Sequence, residues 1–382
     1  MHRRWFALFA AALVIPSVAA TPASAQQAGA LVEAEPVRET PAGMQAWRIQ
    51  YWTTRGDGAR QRVTGMVVAP REALPREPRR VIAWAHGTSG VVERCALSTS
   101  PQFFSATPAL AEMVRQGYVV VAPDYPGLGS SMPHPYLVGG DTARSVLDAV
   151  RAARAITGAA AGTRFAAWGE SQGGHAALWT ASQARQYAPE LQLVGTAAAA
   201  PPTALADNFR LGADPNIRAM LTSFATYSWS KRFGASLSTI ARRNVRGVIT
   251  RLAQNNCIEL GKTPRIGTIL GIAIVRNALE GKDLATISPW DAIIRDNSVD
   301  PLTVPGPVLI AQSAEDPIVA PAVTRSFVLA LCRSRAPLRW IALPGGSHAT
   351  TALDSATPTL DWIGARFAGE AAPNDCAALL NP

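Results

Sequence analysis

Residues 164–187 constrain this chain more than any other stretch. Gly169-Glu170-Ser171-Gln172-Gly173 reads G-x-S-x-G. Ahead of it, residues 164–168, RFAAW, are short, apolar and strand-like. Behind it, residues 174–187, GHAALWTASQARQY, read as a helix. A strand that turns straight into a helix leaves no room for side chains at the flanks of the turn, so glycine stands at both. The serine between them is lifted above the sheet edge at a helix N-terminus, where the dipole favours negative charge. Such an elbow presents a hydroxyl as a nucleophile, and it requires a sheet whose strands feed helices.

The rest of the chain supplies that sheet. Residues 26–44 are polar and proline-spotted and read as an extended entry segment. Residues 46–54, AWRIQYWTT, and 61–69, QRVTGMVVA, alternate as strands do, and Arg55-Gly56-Asp57-Gly58 joins them as a hairpin. Buried strands follow at 81–85, at 118–123, in the elbow itself and at 191–200. Helices fall between them at 109–116 and 141–157, the second with one apolar stripe through Val146, Leu147, Val150, Ala153 and Ile156. This alternation predicts an α/β fold: a mostly parallel sheet with helices on both faces.

From residue 201 to about residue 300 no convincing strand occurs, and several helices are expected, carrying Phe209, Phe224, Tyr227, Trp229 and Phe233. The pattern resumes with a strand at 307–311, a helix at 319–331, a strand at 338–343 and a helix at 356–367. The expected organisation is a core of residues 26–200 and 301–382, with residues 201–300 as a helical cap inserted after the sixth strand. No internal repeat or low-complexity tract is visible.

A serine hydroxyl is a weak nucleophile at neutral pH and needs a base and a group to orient that base. On a sheet of this kind an acid and then a histidine follow the serine in sequence. Five histidines are available. His2 lies in an N-terminal segment expected to be cleaved off as a signal, His86 and His134 precede the serine, and His175 sits one helical turn beyond it, poorly placed to swing over the hydroxyl. His348 remains, in Gly345-Gly346-Ser347-His348 just past the last strand. The acid belongs at the end of the preceding strand, in residues 311–317, AQSAEDP. Asp316 is the first choice and Glu315 the alternative, while Asp354 follows the histidine and fits worse.

An oxyanion needs two N–H donors. One is expected from Gln172, directly after the nucleophile. The other is expected from Thr88 in the loop His86-Gly87-Thr88, with the Thr88 hydroxyl as a helper and His86 bonding within the loop. Asp124-Tyr125-Pro126-Gly127 reads as a turn that shapes the pocket wall. Phe224, Tyr227 and Trp229 either line an acyl pocket or form the cap's own small core.

The N-terminus reads as a secretory signal peptide over residues 1–25. Arg3 and Arg4 precede an apolar run at 6–20, and Ala23-Ser24-Ala25 fits a cleavage site. The run is short for a membrane span of about 20 residues, and no cysteine near the site suggests a lipid anchor. Export implies an oxidising compartment, so the four cysteines, Cys95, Cys257, Cys332 and Cys376, are expected in two disulfides, with three pairings open. No two are close enough to suggest a metal site. The formal net charge of +9 comes from scattered arginines without interleaved aromatics, which argues against a nucleic-acid partner.

These features together resemble the secretory lipases, the fungal lipase A-type enzymes and their bacterial relatives. The likeness rests on H-G-T-S-G with Cys95 after it, D-Y-P-G-L-G, G-E-S-Q-G-G, a helical cap and a late A-E-D-P-I-V-A-P…G-G-S-H. It implies an α/β-hydrolase fold and a catalytic set at Ser171, Asp316 and His348. It also implies disulfides Cys95–Cys257, tying cap to core, and Cys332–Cys376, bracing the histidine loop. The implied activity is cofactor-free and metal-free hydrolysis of carboxylic esters, small or lipid, with at most transient contact with a lipid surface. A serine peptidase or acyltransferase would share the same fold and triad, and a non-catalytic exported binding protein would be expected to lack part of the set. Glu170 departs from the family, which often places an uncharged, commonly aromatic residue there. The location implied is secreted or periplasmic, and nothing in the sequence sets an oligomeric state.

Overall fold

The computed structural model describes residues 27–259 and 263–381, and the expected signal peptide lies outside them. The N-terminal edge of the fold is antiparallel: β1 (Leu31–Pro36), β2 (Met44–Thr54) and β3 (Arg60–Pro70) run as a meander. β2 and β3 pair without interruption from Met44↔Pro70 to Thr54↔Arg60, as the expected hairpin requires. β1 corrects the reading of residues 26–44 as a simple entry segment. Its side chains are half-buried or exposed, so no apolar alternation marks it, and its backbone pairing with β2 makes it a strand.

The remaining strands are β4 (Arg79–Ala85), β5 (Val119–Pro123), β6 (Ala161–Glu170), β7 (Gln192–Ala199), β8 (Val308–Ser313) and β9 (Leu338–Leu343). The sheet order is β1-β2-β3-β5-β4-β6-β7-β8-β9. β3 meets β5 antiparallel, and every later pairing is parallel. The central strands are buried on both faces, which is why VIAWA and VVVAP read as continuous apolar runs. Helices Gly139–Ala153 and Gln172–Tyr187 pack on one face through Val146, Leu147, Val150, Ala176 and Ala177. Helices Leu110–Arg115 and Ala356–Ala368 cover the other through Leu110, Met113, Leu360 and Ile363.

Between β7 and β8 the chain forms helices Leu205–Leu211, Pro215–Phe233, Arg243–Asn255, Ile266–Leu279 and Trp290–Asn297, with no strand among the described residues. The edge strand β1 raises the count, so this insertion follows the seventh strand of the chain rather than the sixth. It has its own buried cluster around Phe224, Trp229, Ile249, Val275 and Trp290. Several polar contacts seat it on the sheet domain. Gly139 N donates to Asn297 Oδ1 at 3.1 Å. Asn297 O accepts from His175 Nε2 at 2.7 Å, and Arg232 Nε reaches Asp141 at 2.6 Å. The disulfide Cys95–Cys257 joins the loop after β4 to the insertion, and Cys332–Cys376 joins helix Pro321–Arg333 to the C-terminal helix Cys376–Leu380. The second bridge does not brace the histidine loop directly. Asp375 beside it bonds Leu338 O and Trp340 N, so it secures the start of β9, whose other end leads to His348.

Candidate active site

The elbow is built by sterics. β6 ends at Glu170, the helix begins at Gln172, and Ser171 between them has φ 54° and ψ −122°, a backbone state that side-chain-bearing residues rarely occupy. A Cβ on Gly169 would run into the carbonyl of Gly173, and one on Gly173 into the carbonyl of Ala85. No residue other than glycine fits at either place. Ser171 N donates to Ala199 O at 2.8 Å, and His175 N donates to Ser171 O at 3.0 Å, so the strained residue is fastened on both sides.

Gly87 sits against the elbow: a Cβ there would be 3.8 Å from Ser171 Cβ and 3.6 Å from Glu170 O. The H-G-T loop thus flanks the serine. The Thr88 hydroxyl is engaged with the Tyr136 hydroxyl at 2.9 Å. His86 is buried, with Nδ1 2.6 Å from Gly87 O, and its ring packs at a tilt of 39° against Tyr125. Asp124 shapes this wall by accepting from Ser98 N at 2.8 Å and from the Thr64 hydroxyl at 2.7 Å.

Gln172 is buried, and its amide Nε2 lies 2.6 Å from His134 Nε2. His134 Nδ1 faces the Pro126 carbonyl at 2.8 Å, which can only accept, so Nδ1 carries the proton and Nε2 receives the Gln172 N–H. Burial holds the imidazole neutral, pushing its pKa down to about 3. His134 precedes the serine and so stands outside the expected place of a base; its part is to fix the side chain of the residue after Ser171. The flanking prolines in Pro133-His134-Pro135 were the available signal of a fixed turn.

Asp316 and His348 meet at the C-terminal ends of the neighbouring parallel strands β8 and β9. Nδ1 of His348 is 2.7 Å from Asp316 Oδ2, and both residues are buried. The carboxylate is held in place: Oδ1 accepts from Ile318 N at 2.8 Å and Val319 N at 2.9 Å, and Oδ2 also accepts from Gln312 Nε2 at 3.0 Å. Glu315 is exposed. The Ser313 hydroxyl donates to the carbonyls of Gly345 and Gly346 at 3.0 and 2.9 Å, drawing the histidine loop onto the end of β8. Gln312 is a contributor that sequence reasoning missed; its signal was a lone amide within an apolar strand. Among the described residues no hydrogen bond joins Ser171 to His348.

Beside Ser171 lies a cleft with a cavity volume of about 40 Å³, walled by Leu137, Leu205, Phe209, Ile217, Leu221 and Ile318, with Tyr136, Asn208, Asp214 and Arg218 as polar members. Phe224, Tyr227 and Trp229 are absent from this lining. They are buried in the core of the insertion, so of the two expected readings the small-core one applies. The other carboxyl at the site is Glu170. Burial pushes its pKa up to about 7, against the opposing pull of His348.

Comparison with known proteins agrees with this architecture. The sequence model of the secretory lipase family matches residues 97–375, well over half of the chain. Lipase A of Moesziomyces aphidis is 24% identical over 348 residues, covering 85% of this chain and 72% of that protein. The secreted triacylglycerol lipase LIP4 of Malassezia globosa is 23% identical over 360 residues, covering 87% and 75%. The crystal structure of Candida antarctica lipase A in its closed state superposes with a TM-score of 0.72 at 19% identity, covering 94% of this chain and 91% of that one. At that identity the superposition speaks for the fold, while the family match speaks for the chemistry. The chain belongs to the secretory lipase family, has the α/β-hydrolase fold and is a carboxylic ester hydrolase.

Proposed function

We propose that this chain is an exported serine esterase or lipase in which Ser171 is the nucleophile, His348 the base and Asp316 the orienting acid. Ser171 Oγ attacks the ester carbonyl while Nε2 of His348 takes its proton. The oxyanion is held by the backbone N–H groups of Gln172, in the first turn of the elbow helix, and Thr88, next to Gly87. His348 then protonates the leaving alcohol, and water activated by the same ring clears the acyl-enzyme. Asp316 fixes the tautomer with the proton on Nδ1, leaving Nε2 free to accept. Residues 201–300 act as a cap whose inner wall supplies the acyl cleft. The substrates are carboxylic esters, including lipid esters, and the site of action is outside the cytoplasm.

The observation that carries this reading is the buried Asp316–His348 pair at 2.7 Å on the sheet edge where the strained Ser171 is displayed. The test is hydrolysis of p-nitrophenyl butyrate by wild type and Ser171→Ala, with circular dichroism on both. Loss of turnover with an intact fold is expected, together with labelling of Ser171 by a fluorophosphonate in the wild type. Unchanged turnover in Ser171→Ala would remove the proposal.

A further inference from the structure

The residue between Gly169 and the nucleophile is a carboxylate that the mechanism above leaves unused. Glu170 ends β6 and is half-buried. Its Oε1 accepts from Ala352 N at 3.4 Å. Ala352 is fully buried in the short helix Thr351–Asp354, which continues directly from the turn His348–Thr350. One side chain therefore links the strand that carries the nucleophile to the loop that carries the base, across 182 positions of sequence.

The ionisable groups acting on this carboxyl are His348, Asp316 and Asp354. Burial and the two aspartates oppose the charged form, while His348 and the N–H of Ala352 favour it. Electrostatic influence is mutual, so an ionised Glu170 must in turn favour the imidazolium of His348. Asp316 performs that service from the Nδ1 side, and Glu170 approaches from the strand that presents Ser171.

We propose that Glu170 is a positioning residue for His348, holding the histidine loop to the elbow through Ala352 and supporting the imidazolium that forms as Ser171 loses its proton. Ionised, it does both; protonated, it keeps only a weak contact with Ala352 and contributes no charge. The carboxyl changes state near neutrality, so the enzyme's acid limb records two protonations, one on the base and one on its supporter. This rests on the reading of His348 as the base.

The test is the pH dependence of kcat/KM for p-nitrophenyl butyrate in wild type, Glu170→Gln, Glu170→Asp and His348→Asn. In Glu170→Gln the acid limb is expected to move to lower pH by about one unit, and kcat on the plateau to fall about tenfold with KM little changed. Glu170→Asp, shorter but ionisable, should restore part of the limb's position. The wild type alone provides a measurement that needs no variant: its limb should require two protons to fit. An acid limb in Glu170→Gln that coincides with the wild type, or a wild-type limb that fits a single proton, overturns the inference. A His348→Asn enzyme with undiminished rate would instead bring down the base assignment, so the two failures are distinguishable.

Discussion

Gln312 Nε2 stands 3.0 Å from Asp316 Oδ2, the same oxygen that meets His348. The amide is itself fixed, because its Oε1 accepts from the Thr324 hydroxyl at 2.8 Å. Asp316 is thus aimed by a chain of buried polar groups rather than left to choose its rotamer. Asp316→Asn should lower kcat by about 10³- to 10⁴-fold, because an amide NH₂ facing Nδ1 favours the wrong tautomer. Gln312→Leu, which leaves the carboxylate but removes one of the two donors to Oδ2, should cost about tenfold. Glu315→Ala should be neutral, since that side chain is exposed. The assignment fails if Glu315→Ala, and not Asp316→Asn, abolishes turnover.

Arg232 Nε meets Asp141 Oδ2 at 2.6 Å, with the aspartate side chain only 1% exposed. Arg232 lies in the last turn of helix Pro215–Phe233 and also reaches Asp57 in the β2–β3 turn at 3.0 Å. Removing the guanidinium would strand a buried carboxylate that, among the described residues, keeps only the Gly56 N–H. Arg232→Ala should therefore destabilise the fold by about 2–4 kcal/mol, read as a lower urea midpoint. The paired change Arg232→Leu with Asp141→Leu should recover much of that loss. If the single variant unfolds at the wild-type midpoint, the pair does not hold the insertion to the sheet domain.

The parts of this molecule visible in the sequence are those fixed by local sterics. Gly169 and Gly173 announce the elbow because a side chain at either would strike backbone. β9, at 338–343, is found at its expected bounds because an apolar run delimited by turns has few other uses. His348 emerges by elimination from a short inventory. What stayed hidden depends on residues distant in sequence. The contact of Glu170 with Ala352 and the anchoring of Gln172 by His134 exist only once the sheet brings those segments together. The cleft walls likewise combine Leu137, Leu205, Leu221 and Ile318 from four separate segments, so periodicity could not single out Phe209 as lining and Phe224 as core.

Acid should destabilise this protein through histidines held neutral. Burial lowers the pKa of His175 to about 4 and of His134 to about 3, below the usual value of 6.5. Between pH 6.5 and those values the unfolded chain binds more protons, so stability is full above the unfolded pKa and is lost as pH falls. For His175 the loss between pH 7 and pH 5 is about 2 kcal/mol. Glu170 works in the opposite sense, since its raised pKa makes the folded state bind more protons between about 4.5 and about 7. His175→Gln, which retains a donor for Asn297 O, should show a smaller difference in urea midpoint between pH 7 and pH 5 than the wild type. An identical difference in both proteins would mean that His175 titrates alike folded and unfolded.

The cleft beside Ser171 sets an expectation for chain length. Its volume of about 40 Å³ holds about three waters, which suits a short acyl group and not an extended fatty chain without movement of the walls. Leu221, half-buried in helix Pro215–Phe233, lines it from the insertion side. Across p-nitrophenyl esters, kcat/KM should peak at short acyl chains and decline toward octanoate. Leu221→Ala removes a branched side chain from the wall and should raise the octanoate-to-butyrate ratio about tenfold, the scale on which a methylene or two is discriminated in an apolar pocket. The same variant should leave acetate hydrolysis nearly unchanged, because acetate does not reach that wall. A wild type that already prefers octanoate would mean that the cleft seen here opens before the ester binds.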